Sequence, residues 1–410
     1  MEGQKETRFR GVEEIMGEVR LIGADWCPDC RRAKAFLSQH RVPYDYVNLE
    51  TTPEATSEVE VRNGGKRIIP TIIFPDGTHL AEPSNDVLAD KLGIIRAADN
   101  DFYDLVIAGG GPTALTTAIY AARENLKTLV IEKSALGGQA GVTEKFDNYP
   151  GFPDGVSGSE LAQRFVLQAQ RYGVELLQAV AVQDFQSEGK LVQITASSGQ
   201  EINASALLLA TGSKYRRTKA DGEASLVGAG VHFCATCDGP FYKGADNLVV
   251  IGGGNSGLEE GLFLTQFAKH VTIIQNSDQL GASRLLQDKV SRHLQMSVKL
   301  NTSVERFNAT SSGKLESLTV RDLLTGITSE ESTNGAFVFI GMDPNTQWLP
   351  ESIELDERGF ISTDLTFKTS VPRVFAAGDV RAGSTKQLAS AVGEGAAVAI
   401  QIRQYLDSED

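Results

Sequence analysis

Short apolar runs that end in glycine set the rhythm of the chain. Tyr103-Asp104-Leu105-Val106-Ile107-Ala108 predicts a strand that runs into Gly109-Gly110-Gly111-Pro112-Thr113-Ala114 and then into a helix. Asn247-Leu248-Val249-Val250-Ile251 runs in the same way into Gly252-Gly253-Gly254-Asn255-Ser256-Gly257. The two copies lie 143 positions apart, and second strands over Thr128 to Glu132 and Val271 to Gln275 keep that offset. Upstream, strands predicted over residues 18–23, 44–49 and 67–74 alternate with helices over 28–40, 53–62 and 83–92. The first of these helices carries an apolar stripe of Ala33, Phe36 and Leu37, and Pro75-Asp76-Gly77 reads as a turn. Residues 95–101 read as a linker; seven extended residues reach at most about 25 Å.

The fold class is therefore α/β, with a small unit ahead of a larger one that contains two dinucleotide-binding motifs. A glycine loop between a strand and a helix lets the backbone approach a pyrophosphate, and the helix N-terminus stabilises its charge. A lone motif of this kind is a weak signal, but two in one register, each with a second strand about 20 residues on, are strong. Glu132 ends the first second strand, where a carboxylate accepts hydrogen bonds from a ribose diol. Gln275-Asn276-Ser277 stands at the equivalent place in the second copy, with neither an acid nor a base. The first site reads as FAD and the second as a nicotinamide dinucleotide.

Composition narrows the class. The chain has 410 residues and a net charge of −14, which argues against nucleic acid and against an anionic membrane surface. No apolar run approaches the roughly 18 residues of a membrane span. The polar start, Met1 to Arg10, is unlike a secretory signal. Only four cysteines occur, as two C-x-x-C pairs, Cys27/Cys30 and Cys234/Cys237. Zinc is the competing reading, but the pairs of a four-sulfur zinc site usually lie roughly 15 to 20 residues apart, far closer than these. Two redox dithiols are the working reading. The five histidines have no ligand spacing and read as surface or packing residues, so no metal site is expected.

Trp26-Cys27-Pro28-Asp29-Cys30 lies where a strand hands over to a helix, so the dipole favours a thiolate there. By position Cys27 is the exposed attacker, and Cys30, one turn in, resolves a mixed disulfide. With Ile69-Pro70-Thr71 ahead of the third strand, residues 18–94 resemble the thioredoxin fold, most closely its glutaredoxin and mycoredoxin branch. The resemblance implies a cis Ile69-Pro70 bond facing the dithiol. The run departs from the Cys-Pro-Tyr-Cys of glutaredoxins.

The second pair sits in Cys234-Ala235-Thr236-Cys237-Asp238-Gly239, just ahead of the second glycine loop. With Gly137-Gly138-Gln139, Asn148-Tyr149-Pro150-Gly151, Ala210-Thr211-Gly212 and Phe375-Ala376-Ala377-Gly378-Asp379-Val380, it resembles the bacterial low-molecular-weight thioredoxin reductases over nearly all of residues 102–408. The resemblance implies thioredoxin reductase architecture: a thioredoxin-fold domain over 1–95, a linker over 96–101, an FAD domain from 102–216 and 336–410, and a nicotinamide and dithiol domain over 217–335. It also implies a homodimer. Cys237 would lie against the flavin, Cys234 would attack the outgoing disulfide, and Asp238 would manage the thiol protons, a helix cap being its competing reading. Gly109, Gly111, Pro112, Thr113, Ala114, Glu132, Gly138, Gln139, Asn148, Thr211, Gly212, Asp379, Val380, Lys386, Gln387 and Leu388 fall to FAD. Gly252, Gly254, Asn255 and Ser256 fall to the nicotinamide dinucleotide.

NADPH-dependent members carry His-Arg-Arg where Gln275-Asn276-Ser277 stands here, and cations are what usually hold a 2′-phosphate. The donor is thus NADPH or NADH. The reading is a disulfide reductase that passes electrons through FAD and Cys234/Cys237 to the fused Cys27/Cys30 pair. The alternatives are a ferredoxin-fed reductase, a flavin dithiol oxidase, or a redox sensor on the same scaffold. A thioredoxin-like protein, a peroxiredoxin or a low-molecular-weight thiol disulfide would be the acceptor, in the cytoplasm.

Overall fold

Val19–Gly23 (β1) is apolar at nearly every position and forms the second strand of a four-stranded sheet. The structure, a computed structural model, describes residues 19–409 except Trp26, Arg41, Ile95, Glu144 and Asp147, and not the side chains of Pro28, Val142, Thr236 and Cys237. Glu18, Trp26 and the polar start expected above lie outside the described residues. After β1 come α1 (Pro28–Gln39), β2 (Tyr44–Asn48), α2 (Ala55–Arg62), β3 (Thr71–Ile73), β4 (His79–Ala81) and α3 (Asn85–Lys91). The sheet order is β2-β1-β3-β4, with β2 parallel to β1 and β3 antiparallel to it. Alternation along β1 builds a core on each face. Leu21 packs with Ala33, Phe36 and Leu37 of α1, whereas Ile22 packs with Val59 of α2. Phe36 and Leu37 are wholly buried, and each contributes about 1.5–3 kcal/mol. The edge strand β4 was not foreseen. Three residues carry little periodicity, and the strand forms because the turn before it closes through Phe74 N–H to Thr78 O at 2.9 Å.

The chain folds as two units. One takes in the described residues up to Thr143, Val156–Ser213 and the chain from Pro344 on; the other is Glu144–Gly155 with Lys214–Asp343. In the first unit, Phe102–Ala108 (β5), Pro112–Arg123 (α4), Thr128–Glu132 (β6) and Gly138–Val142 (α5) follow the small sheet. The strands Glu201–Leu209, β5, β6 and Glu175–Gln178 lie side by side, and Val374–Ala376 runs parallel beside the first of them. Leu105 and Ile107 face Ala114, Leu115 and Ala118 of α4, while Val106 and Ala108 face the opposite core.

The stretch 96–101 is not a free tether. Gln200 brackets Ala98 with two hydrogen bonds, from Ala98 N–H at 2.7 Å and to Ala98 O at 3.1 Å. Glu175 accepts from Asp99 N–H at 2.6 Å, and Ala98 is itself part of the first unit's core. Arg96 donates to Ala179 O at 3.3 Å and pairs with Asp90 of α3. These bonds fasten the linker segment to the sheet it precedes.

The second unit repeats the first in brief. Its parallel sheet runs Val231–His232, Gly335–Val338, Ala245–Ile251, Ala268–Ile274, Met296–Lys299. The strand Gly335–Val338 is an inner member of that sheet, which carries this unit past residue 335 to Asp343. Three antiparallel strands, Thr302–Ala309, Leu315–Asp322 and Thr328–Ser332, form a separate sheet.

Candidate active site

The first glycine turn needs glycine for two separate reasons. Gly109 holds φ +110°, and a Cβ there would fall 2.3 Å from the carbonyl oxygen of Ala210. Gly111 caps α4 at an ordinary φ of −78°, with nothing within 4 Å of where its Cβ would be. The space at the helix N-terminus is thus open, and Pro112 begins the helix without an amide to satisfy. Ala114, fully buried, lets α4 lie close on the sheet. Other chain segments converge on this turn. A Cβ on Gly138 would lie 3.1 Å from Gly111 Cα, and one on Gly378 would lie 2.4 Å from Thr113 Oγ1. Thr211 is tied to Asn345 by reciprocal bonds of 3.0 and 2.8 Å, next to Gly212 with φ +68°.

Glu132 is buried, and burial pushes its pKa up. Its two oxygens accept Gly110 N–H and Ser134 N–H, each at 2.6 Å, leaving one lone pair per oxygen for a ribose hydroxyl. Asp379 Oδ1 is buried and has no hydrogen-bond partner among the described residues. Burial raises its pKa as well, against the opposing pull of Lys386. Lys386 donates not to that carboxylate but to the carbonyls of Asp379, at 2.6 Å, and Arg381, at 3.2 Å. An open helix N-terminus for a pyrophosphate, with lone pairs left on Glu132 and an unpartnered Asp379 Oδ1, fits FAD. Val380 is wholly buried in the core, so only its backbone is free to face a cofactor. Gln139 is exposed on α5 and donates to Ser213 O. Gln387 and Leu388 stand at the start of the helix Leu388–Glu409. Asn148 belongs to the second unit, so the two residues assigned to the flavin ring system, Gln139 and Asn148, fall in different units.

The second turn reproduces the first atom for atom in its central bond. Gly252 has φ +119°, with a would-be Cβ 2.3 Å from Phe339 O, and Gly254 caps the helix Asn255–Leu264 over open space. Gly253 N–H donates to Gln275 Oε1 at 2.7 Å, as Gly110 N–H does to Glu132. The Gln275 amide NH2 is spent on Ser277 Oγ at 2.6 Å. Asn255 accepts from Ser283 N–H at 2.7 Å, while Ser256 and Asn276 are exposed. Arg284 is exposed at the first turn of the helix Arg284–Ser291.

In the small module the dithiol sits at the N-terminus of α1. Cys27 is its N-cap, and its Sγ accepts Cys30 N–H at 3.1 Å. Both thiols are free. Hydrogen bonding from Cys30 holds Cys27 below the ordinary thiol range, and the same bond, with burial, pushes Cys30 above it. The expectation of an exposed attacker is corrected: Cys27 is 5% exposed and Cys30 0%, both packed against Ile69 and Ala24. Gly23 makes room, because a Cβ there would fall 2.6 Å from Cys30 Sγ. The Ile69-Pro70 bond is cis and Pro70 is buried. Beside the pair, Asp25 accepts from Lys34, Tyr46 and Asn48 at 2.9, 2.9 and 3.0 Å, and the Lys34 bond holds its carboxyl below the usual range.

In the second unit Cys234 is disulfide-bonded, and Ala235–Asp238 forms a single helical turn. Reading the sequence alone missed His232 and its partner Tyr242. His232, assigned to packing or surface, has Nδ1 3.4 Å from Asp238 Oδ2 and Nε2 2.6 Å from Tyr242 Oη. The one available signal was its place two residues before Cys234.

Comparison with known proteins gives the family. The family model of pyridine nucleotide-disulphide oxidoreductases matches residues 103–395, and the glutaredoxin model matches residues 19–80. Thioredoxin reductase of Bacillus subtilis is 36% identical over 312 residues, 76% of this chain and 96% of its own. That of Treponema pallidum is 38% identical over 309 residues, 75% of this chain and 98% of its own. The crystal structure of thioredoxin reductase from Streptococcus pyogenes matches with a TM-score of 0.71 at 36% identity, over 76% of this chain and 100% of that one.

Proposed function

Since the chain belongs to the thioredoxin reductases, within the pyridine nucleotide-disulphide oxidoreductases, and carries a glutaredoxin domain, we propose that it runs two dithiols in series. Cys234/Cys237 come first, Cys27/Cys30 second, and a protein or low-molecular-weight disulfide last. The chain is an FAD-dependent disulfide oxidoreductase. Bound FAD would supply two-electron exchange between a nicotinamide dinucleotide and the inner dithiol. We assign its retention to Gly109–Ala114, Glu132, Thr211, Gly212, Asp379 and the turn from Gly138.

The chain's own residues carry the thiol chemistry. The Cys234 thiolate bonds to one sulfur of the Cys27–Cys30 disulfide, that S–S bond breaks, and the departing thiolate takes a proton held by Asp238. Cys237 then attacks Cys234, restoring the inner disulfide and releasing the second thiolate. Cys27 repeats the attack on the final acceptor. Its lowered pKa favours the thiolate over the thiol. Cys30 keeps its proton while Cys27 is charged. Once Cys27 is locked in a mixed disulfide, the bond and the charge that raise Cys30 are gone, so Cys30 is released to resolve it. The observation that carries the reading is the presence of two C-x-x-C pairs in different states, Cys27 and Cys30 free and Cys234 bonded.

Gln275, Asn276 and Ser277 offer no cation to a 2′-phosphate, so we propose that NADPH has no large advantage over NADH. The acceptor is a thioredoxin-like protein, a peroxiredoxin or a low-molecular-weight disulfide, and the working form is a cytoplasmic homodimer. Among the described residues no helix is long and apolar enough to cross a membrane. Anaerobic titration of the FAD-loaded protein tests the scheme. Either dinucleotide bleaches the flavin, and thiols then appear at all four cysteines. A kcat/KM ratio of about a hundredfold or more for NADPH, some 2.7 kcal/mol, refutes the donor assignment. Bleaching by neither selects a ferredoxin-fed reductase or a dithiol oxidase.

A further inference from the structure

His232 ends the strand Val231–His232 and is paired in register with Phe337. Its ring is 9% exposed and lies 5.2 Å from the Phe337 ring. A histidine placed there only to fill space would leave two ring nitrogens to be satisfied at a cost. Instead Nε2 shares a hydrogen bond with Tyr242 Oη at 2.6 Å, and Nδ1 faces Asp238 Oδ2 at 3.4 Å, a close polar contact short of a formed hydrogen bond. The Tyr242 ring reaches this place because residue 335 is glycine: a Cβ on Gly335 would fall 2.6 Å from Tyr242 Cζ. The chemistry of the partners orders the chain. A carboxylate oxygen accepts, so the tautomer that suits this contact is the one with its hydrogen on Nδ1. In that tautomer Nε2 accepts and the Tyr242 hydroxyl donates. Asp238 and Tyr242 are titratable groups that meet the ring, and Phe337 on the neighbouring strand carries none.

We propose that His232 is a positioning residue for Asp238, with its tautomer set by Tyr242. The inference rests on the reading of Asp238 as the group that manages the thiol protons. Asp238 is the residue after the second cysteine of the pair, on a single turn, Ala235–Asp238, and its side chain is mostly shielded at 19% exposure. A polar ring nitrogen held beside one carboxylate oxygen restricts the rotamers open to such a side chain. At 3.4 Å the pair is longer than a formed N–H···O bond, and such contacts commonly tighten only in the reacting complex.

The test uses the full-length, FAD-loaded protein, reduced and then mixed in single turnover with dithionitrobenzoate, with flavin reduction by the dinucleotide as the internal reference. A second readout, alkylation of Cys234 against pH in the reduced protein, is independent of the flavin. His232→Leu slows disulfide exchange about tenfold and shifts the alkylation profile, while His232→Asn, which keeps a donor near the place of Nδ1, recovers to within about threefold. Tyr242→Phe keeps the ring packing and releases the tautomer, giving an intermediate rate. Asp238→Asn slows exchange at least as much, and His232→Leu adds nothing in that background. If His232→Leu exerts its full effect in the Asp238→Asn background, or if His232→Asn fails to recover while folding normally, the positioning role is overturned. If His232→Leu does not fold, the His232→Asn and Tyr242→Phe rates decide: wild-type rates in both overturn the role. If Asp238→Asn itself is silent, the reading of Asp238 falls, an outcome distinct from the failure of His232 alone.

Discussion

Gly111→Ala separates cofactor binding from folding, and Gly109→Ala is its counterpart two residues away. At Gly111 the added methyl meets no atom within 4 Å, and the backbone φ of −78° suits alanine. Losing glycine at an N-cap costs about 0.5–1 kcal/mol, and the smaller freedom of the unfolded chain offsets about 0.4–1 kcal/mol. The apoprotein should therefore keep its stability to within about 0.5 kcal/mol. The methyl does occupy the open space through which a pyrophosphate reaches the first amides of α4. Loss of one charge-assisted hydrogen bond of about 1.5–3 kcal/mol lowers FAD affinity about 10- to 150-fold. At Gly109 the terms reverse. Its φ of +110° and a contact of 2.3 Å to Ala210 O leave no room, and Ala210 cannot retreat without breaking its N–H bond of 2.8 Å to Ala108 O. Strain and overpacking together cost about 2–6 kcal/mol, a large part of a typical domain's 5–15 kcal/mol. The assay is flavin content after gel filtration, FAD titration of the apoprotein, and thermal melting without FAD. A Gly111→Ala protein that holds flavin with wild-type affinity refutes the reasoning, as does a Gly109→Ala apoprotein that melts with the wild type.

Cys27→Ser should abolish turnover of the final protein disulfide while flavin reduction and direct reduction of dithionitrobenzoate by the inner pair persist, and Cys30→Ser should accumulate a covalent adduct on Cys27, read by intact mass. Because Cys27 titrates below the ordinary range and Cys30 above it, lowering the pH should silence alkylation of Cys30 well before that of Cys27; equal pH profiles would contradict the pairing of their thiols. Trypsin should leave the chain uncut after Arg96 in the native protein, and Gln200→Ala with Glu175→Ala, which removes the bonds on Ala98 and Asp99, should expose that site. Ser277→Arg should raise the kcat/KM for NADPH relative to NADH by about tenfold or more, if the missing cation is what levels the two donors.

Several parts of this protein could be read from the chain alone because they are local. The step from strand to glycine turn to helix, the cap that places Cys27 at the start of α1, and the second strand that brings Glu132 to its turn are all set within about 25 residues. Even the repeat could be read in this way, since each copy stands on its own periodicity. Tertiary structure decided what distant segments do to one another. Residues 96–101 read as a tether, yet Gln200 and Glu175, which fasten them, arrive with strands about a hundred and about 75 positions on. Gln275 looked like an absent acid, and only its bond to Gly253 N–H showed an amide carbonyl taking the carboxylate's structural place. Cys27 followed the rule for an attacking thiol, but Ile69, 42 residues away, helps to bury it. His232 meets Asp238 and Tyr242 close by in the chain, but the Tyr242 ring fits there only because residue 335, far along the chain, is glycine. Hydrophobic period and glycine placement act over a few residues and leave their trace in the sequence. A hydrogen bond between returning segments depends on where a whole sheet carries them, and no local pattern encodes that.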